Sequence, residues 1–341
     1  MHKKLFYFLV ALSFMTSNAL AYDVVVKSTT NRDDFNVGDY WIAEDFADGF
    51  RKNGLDTGVD YRGEYDTKHE PTPKINLYMR GYTKFNPPFG DGVNVLYCYY
   101  PMAYDENSKN TLSHKQLEKR AKMPENASLD DDWQNYDLIA VASPSYADKL
   151  NKVGIKALYV PQFTNPEKFY PAPDENLKTD ILFVGSNWHD RTSLRYALES
   201  GFEVDVYGYR WEGIVPNKMY KAPYIANKDL NRYYSSAKIV LNDHRPDMKA
   251  FGFVNNRIYD ATAAGALVIS DYMPEIELIY GDSIPMYKTK EELAEKLAYF
   301  LSHEKERQQK AEQARQITLR YFTNTAAAKL ISEAAKNAEL H

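Results

Sequence analysis

Residues 241–271 read LNDHRPDMKAFGFVNNRIYDATAAGALVISD, and this stretch decides the fold. Asn255-Asn256 stands where a helix cap belongs, with Arg257 in the first turn. The helix expected over 256–264 closes on Ala263-Ala264-Gly265 and passes straight into an apolar strand, 266–270. A helix feeding a buried strand through so short a turn belongs to a mostly parallel α/β sheet. Arg257 opposes the dipole of its own helix, so an anionic ligand would give its place a reason. Asp260 lies four residues after Asn256, on the same helix face one turn deeper. Ahead of them, Ala250-Phe251-Gly252-Phe253 reads as a flexible apolar loop that lets a ligand approach the backbone. On these residues alone, an amphipathic helix with surface polar groups is the competing reading.

The same alternation extends upstream. Strand 181–184 runs into Gly185-Ser186-Asn187 and then a helix from Asp190 to about Ser200. A small-residue turn into a helix N-terminus exposes N–H groups to anions, and Arg191 could add a cationic clamp. Strand 204–207, helix 229–236 and strand 238–241 lead to the opening stretch, and helices 290–302 and 304–339 follow it. The last of these is expected to break near 321–324. The first half carries strands at 22–26, 75–79, 93–97, 138–142 and 156–160. Helices are expected at 40–53, 115–122 and 145–152. A proline- and charge-rich segment, 161–179, reads as an interdomain connection. Two Rossmann-like halves facing each other would form a ligand cleft at the carboxyl ends of their strands.

Composition narrows the class further. The chain has 341 residues, 44% apolar and 26% charged, which suits a folded protein of about two domains. With 42 Lys and Arg against 47 Asp and Glu, no basic surface for nucleic acid is expected. The lone Cys98 excludes an internal disulfide or a cysteine zinc site, and the seven histidines show no zinc spacing. Asp130-Asp131-Asp132 reads as an acidic helix cap rather than a metal site. Met1-His2-Lys3-Lys4, the 11-residue apolar run 5–15 and Ala19-Leu20-Ala21 have the layout of a secretory signal peptide. A bilayer-spanning helix needs about 20 apolar residues, so a cleaved leader fits better than an anchor. The expected address is therefore periplasmic or secreted, with an uncleaved signal anchor as the alternative.

The segment GFVNNRIYDATAAGALVISD resembles the glycosyltransferases of the GT-B fold in the group 1, family 4-like clan. It is most similar to the CgeB-like subgroup. Strand 181–184 with Gly185 and Arg191 carries the same resemblance. So do Val206-Tyr207-Gly208 with Trp211, and LNRYYSSAKIVLN at 230–242. In the first half it rests on the Gly38-Asp39 turn and on Ala142-Ser143-Pro144. The resemblance implies an α/β GT-B fold of two facing Rossmann-like domains with mostly parallel sheets. The expected organisation is a signal peptide at 1–21, an acceptor-side domain at 22–165, a nucleotide-sugar domain at 166–310 and a helical tail at 311–341. The implied activity is hexosyl transfer from a nucleotide-sugar donor to a glycan, lipid or protein acceptor. The nucleotide sugar is then a co-substrate, with no metal or other cofactor expected.

By the same resemblance, Asp260 holds the donor ribose and Asn255, Asn256 and Arg257 lie at the diphosphate. Gly185, Ser186 and Arg191 face the same cleft, and Tyr209 and Arg210 border the nucleobase. Gly38 and Asp39 approach the donor phosphates and the acceptor. The sequence departs from the clan at two points. Gly252 stands where an acidic residue normally contacts the donor sugar, and Val95 to Pro101 carries no histidine. Asp243 and His244, at a strand end beside the cleft, are then the remaining catalytic candidates together with Asp39. An exported solute receptor shares the leader, the hinge and the two domains. A transferase-like fold that only binds glycan remains a third reading.

Overall fold

A computed structural model describes residues 22–81, 88–101, 133–152 and 154–338. The export signal expected at 1–21, the helix expected at 115–122 and Asp130 to Asp132 lie outside the described residues.

The first domain is built on a six-stranded sheet. Its strands are β1 (Val24–Lys27), β2 (Thr57–Asp60), β3 (Ile75–Arg80), β4 (Val93–Cys98), β5 (Leu138–Val141) and β6 (Ala157–Tyr159). They run in the order β2-β1-β3-β4-β5-β6, and every pair is parallel. Helix α1 (Gly38–Lys52) follows β1, and α2 (Pro144–Lys152) joins β5 to β6. Strands β3 and β4 are buried at every position, so their sequences run apolar rather than alternate, as a sheet covered on both faces requires. Strand β2 had not been expected, because TGVD is short and holds a glycine.

The second sheet repeats the design. It contains β7 (Thr179–Val184), β8 (Asp205–Tyr207), β9 (Tyr220–Ala222), β10 (Ala237–Asn242), β11 (Leu267–Asp271) and β12 (Met286–Tyr287). The order is β12-β11-β10-β7-β8-β9, again wholly parallel. Helices α3 (Thr192–Glu199), α4 (Asn227–Ser236), α5 (Pro246–Phe251), α6 (Asn256–Ala263) and α7 (Pro274–Tyr280) connect these strands. They are followed by α8 (Lys290–Ser302), α9 (Glu304–Tyr321) and α10 (Asn324–Ala338). The break expected near 321–324 falls at Phe322-Thr323.

The chain crosses between the domains twice. The 161–178 segment is bound down rather than loose: Tyr170, Ala172 and Asp174 donate their N–H groups to Asn231, Ser235 and Ser236 of α4. Thr164 pairs with Thr323 in a parallel bridge beside the second crossing. Helix α10 then returns to the first domain and buries Ala327, Ala328, Ile331 and Ala335 in its core.

One expectation is overturned here. Residues 250–253 are not a flexible loop. Pro246 begins a helix that ends in Gly252, whose φ is +74°. Phe251 and Phe253 are buried against Tyr146 of the first domain, at ring separations of 5.3 and 5.7 Å. Apolar burial holds the segment, and Gly252 supplies the left-handed cap.

Candidate active site

In each sheet the strand order reverses at one point, and loops leaving the carboxyl ends there diverge to form a crevice. The reversal lies between β1 and β3 in the first sheet and between β7 and β10 in the second. Both crevices carry the polar chemistry, and they face each other. Arg245 of the second domain stands 5.5 Å over the Tyr100 ring of the first. The Tyr224 hydroxyl donates to the Phe35 carbonyl across the boundary at 3.3 Å.

At the second crevice, β7 ends in Gly185. A Cβ there would lie 2.7 Å from Arg191 Nη1 and 3.0 Å from Arg257 Nη2, so the bare backbone lets two guanidiniums converge. Both also stand over the Phe183 ring, at 4.8 and 5.6 Å. Arg191 is paired with Asp243 at 2.6 Å. Arg257 donates to the Asn242 side chain at 2.8 Å and meets the Tyr234 hydroxyl, both neutral groups. Burial and the neighbouring Arg191 charge pull the Arg257 guanidinium below its ordinary pKa. Arg191, buried, and Arg257, half-buried, therefore share one directly paired carboxylate, a surplus of positive charge that an anion relieves.

Asp243 and His244 do not reach into the crevice. Asp243 accepts from Arg191 and from the Ser193 N–H and hydroxyl, at 3.1 and 2.9 Å. Burial would raise its carboxyl, but Arg191 and the bonds from Ser193 outweigh that and hold it at about 2. Asp243 thus caps the start of α3, which is not left open for a ligand as the turn at 185–191 had implied. The fully buried His244 ring sets its Nδ1 2.7 Å from Asp271 Oδ1, while its Nε2 accepts the Asn255 N–H at 3.1 Å. With both nitrogens engaged, the ring fixes the start of α6.

Helix α6 begins with no side-chain cap, so its first N–H groups are not consumed by one. The Asn255 amide nitrogen is tied to the Asp243 carbonyl at 2.9 Å, and its Oδ1 is buried without a partner. Asn256 donates to Asp260 Oδ2 at 2.7 Å, as their spacing implied. Asp260 Oδ1 has no hydrogen bond of acceptable geometry. Burial pushes the Asp260 carboxyl well above its ordinary range, despite the neighbouring Thr164 and Asn256.

Ser186 and Tyr209 bind the loops after β7 and β8 together, the Tyr209 N–H donating to Ser186 Oγ at 3.1 Å. Arg210 adopts a left-handed φ of +69° and lays its guanidinium 3.7 Å over Trp188. Trp188 and Tyr209 are exposed on this rim.

In the first crevice, Asp39 lies in the first turn of α1, just after Gly38. Thr29 Oγ1 donates to its Oδ2 at 3.2 Å, and the Tyr99 hydroxyl is bonded to it as well. Burial raises the Asp39 carboxyl, with those two bonds and Arg62 opposing. The Tyr100 hydroxyl is within electrostatic reach of Asp39 in its own domain and of Arg245 and Arg191 in the second.

Sequence reasoning missed His189, whose buried Nε2 has no partner beside these arginines. It also missed Glu275, which accepts from Ser145 across the domain boundary at 2.6 Å. No short motif marks either, because each matters through what the fold sets beside it.

Residues 178–333 match a family model described as glycosyl transferase-like. Spore protein CgeB of Bacillus subtilis (strain 168) is 30% identical over 183 residues, 48% of this chain and 57% of that protein. The chain thus spans little more than half the length of that relative. A sucrose-phosphate synthase from Thermosynechococcus elongatus superposes with a TM-score of 0.62 at 13% identity, covering 92% of this chain and 98% of that one. The T4 phage glucosyltransferase in complex with UDP-glucose gives 0.53 at 13% identity, with 92% and 98% covered. Residues 178–333 are thus similar to glycosyl transferase-like proteins, and the two parallel α/β domains share the GT-B fold of these solved structures.

Proposed function

We propose that this protein moves a sugar from a nucleoside-diphosphate sugar to a hydroxyl of a glycan, lipid or protein acceptor. The observation that carries the proposal is the pair of guanidiniums converging on Gly185 at the fold's switch point. A diphosphate laid there would meet Arg191, Arg257 and the uncapped start of α6, which stabilise the charge developing as the sugar–phosphate bond breaks. Asp260 would receive a ribose hydroxyl on its unpartnered oxygen, and Tyr209 and Arg210 would border the base. These cations supply the charge a metal otherwise provides.

Asp39 is the side chain we assign to the acceptor. Its raised carboxyl suits a general base, taking the proton of the attacking hydroxyl as the new bond to the sugar forms. The transfer rate should rise with pH through that raised value and then level off. Asp39→Asn should lower turnover by about 10²–10⁴-fold with nucleotide affinity kept. A variant as fast as the parent would remove Asp39 from the chemistry.

A thermal-shift and calorimetric screen against UDP, GDP, ADP, TDP and CMP, with free sugars and amino acids alongside, tests the main reading. Arg257→Gln should weaken the nucleotide found by about 10–100-fold, the worth of one charge-assisted hydrogen bond. Binding of a free solute and of no nucleotide would favour a receptor instead. Gly252 favours a second reading, a glycan-binding protein without turnover. It is expected to bind glycan and to release no nucleoside diphosphate from a nucleotide sugar in the presence of acceptors. We also propose export through residues 1–21. Protein from its native cell should begin at Tyr22, and an intact Met1 in its mass spectrum would contradict export by cleavage.

A further inference from the structure

His189 lies two residues ahead of Arg191, on the loop that leaves β7 for α3. Its Nε2 is buried and has no hydrogen-bond partner. Arg191, Arg245 and Arg257 act on this ring electrostatically, and Asp243 is the carboxylate that acts with them. Asp243 is already saturated by Arg191 and Ser193, so it offers the ring nothing further. A buried polar atom left unpaired is destabilising, and such atoms in native proteins generally have an explanation. Here the surroundings supply one: Arg245 is paired with Asp247 at 2.7 Å, but Arg191 and Arg257 share the single carboxylate of Asp243, and an anion drawn to that surplus carries the acceptors the ring lacks.

We propose that His189 is a further donor at the diphosphate subsite, its Nε2–H bonding a phosphate oxygen of the bound nucleotide. The inference rests on the diphosphate reading above. Burial and the arginines bring the His189 pKa down to about 3, so the empty site holds a neutral ring. The sign reverses when nucleotide arrives. The diphosphate offsets the arginine field and places negative charge beside the ring, which favours the imidazolium. Binding should therefore draw a proton onto His189, and affinity should climb as pH falls toward 6.

Calorimetry on the full chain with UDP, GDP and ADP, at pH 6 and pH 8 in buffers of different ionisation enthalpy, reads this directly. The nucleotide's own phosphate ionisation is common to every variant and cancels in comparison. Wild type should take up a larger fraction of a proton at pH 6 than His189→Gln, and should gain several-fold more affinity between pH 8 and pH 6. The glutamine amide keeps a donor, so binding at pH 8 should change only a few-fold. His189→Phe should bind about 10-fold more weakly, as one lost hydrogen bond predicts. Nitrogen NMR of the imidazoles in unsubstituted protein gives the same answer without a variant, through a His189 Nε2 signal that moves toward the charged form with nucleotide. Equal proton uptake in wild type and His189→Gln, or undiminished binding by His189→Phe, overturns the role of His189 alone. If Arg257→Gln binds as tightly as wild type, or if no nucleoside diphosphate binds, the diphosphate reading falls and this inference with it.

Discussion

Asp260 and Asp243 are both buried carboxylates, yet their charge is treated in opposite ways. Asp260 has one donor, Asn256, and its carboxyl is driven up by burial. A folded-state pKa above the unfolded value of about 3.9 makes the empty protein favour the protonated form, so stability from this group is lost as pH rises past that value. Asp260→Asn should therefore raise the melting temperature of the nucleotide-free protein at pH 7 while weakening nucleotide binding. Unchanged affinity for every nucleoside diphosphate would remove the ribose assignment. Asp243 has the reverse sign. Held at about 2, it contributes stability above the unfolded value that is lost as pH falls from about 4 to 2. The shift corresponds to roughly 2 kcal/mol. Asp243→Asn would leave Arg191 buried beside Arg257 without its carboxylate and should cost about 3–5 kcal/mol, measured by urea unfolding.

At the scale of elements, Gly252 shows what the local sequence concealed. A longer side chain has no room there, since a Cβ at 252 would collide with Ser145 Oγ of the first domain and with Glu275 Oε1. Gly252→Ala would also force alanine into a left-handed φ. It should destabilise by about 1–3 kcal/mol and separate the domains locally, visible as faster hydrogen exchange across 246–253. Exchange and melting like the parent's would show that the cap is unstrained. Pro246 at the first helical position and glycine at the end are ordinary boundary signals, but a six-residue helix carries too little periodicity to be told from a loop. Its packing against Tyr146, more than 100 residues away, leaves no local mark either. Strands β9 and β12, at three and two residues, carry too little pattern to declare themselves.

The whole molecule is held as two linked halves by a chain that crosses twice. The second crossing is secured where the Thr164 N–H donates to the Phe322 carbonyl and the Thr164 carbonyl accepts the Asn324 N–H, and the Asn324 side chain also donates to Asp48 at 2.8 Å. Helix α10 then completes the first core. Truncation after Tyr321 should accordingly destabilise the first domain rather than the second, although the missing residues are the last in sequence. Calorimetry should show the first domain's transition lowered or lost. A first-domain transition at the parent's temperature would show that α10 is dispensable.

By itself the sequence determined the class of fold and where its strand-to-helix turns fall. Burial of parallel strands on both faces writes itself as apolar runs, and helix ends carry their own caps and breakers. Thus 181–191 and 255–260 could be read without coordinates. Only the tertiary structure decided which of these polar groups are spent and which are available. Asp243 and His244 are consumed by Arg191, Ser193, Asp271 and the Asn255 N–H. His189 and one oxygen of Asp260 are left unpaired. Hydrogen-bond saturation depends on which distant segments the fold brings within 3 Å, and no local pattern records that.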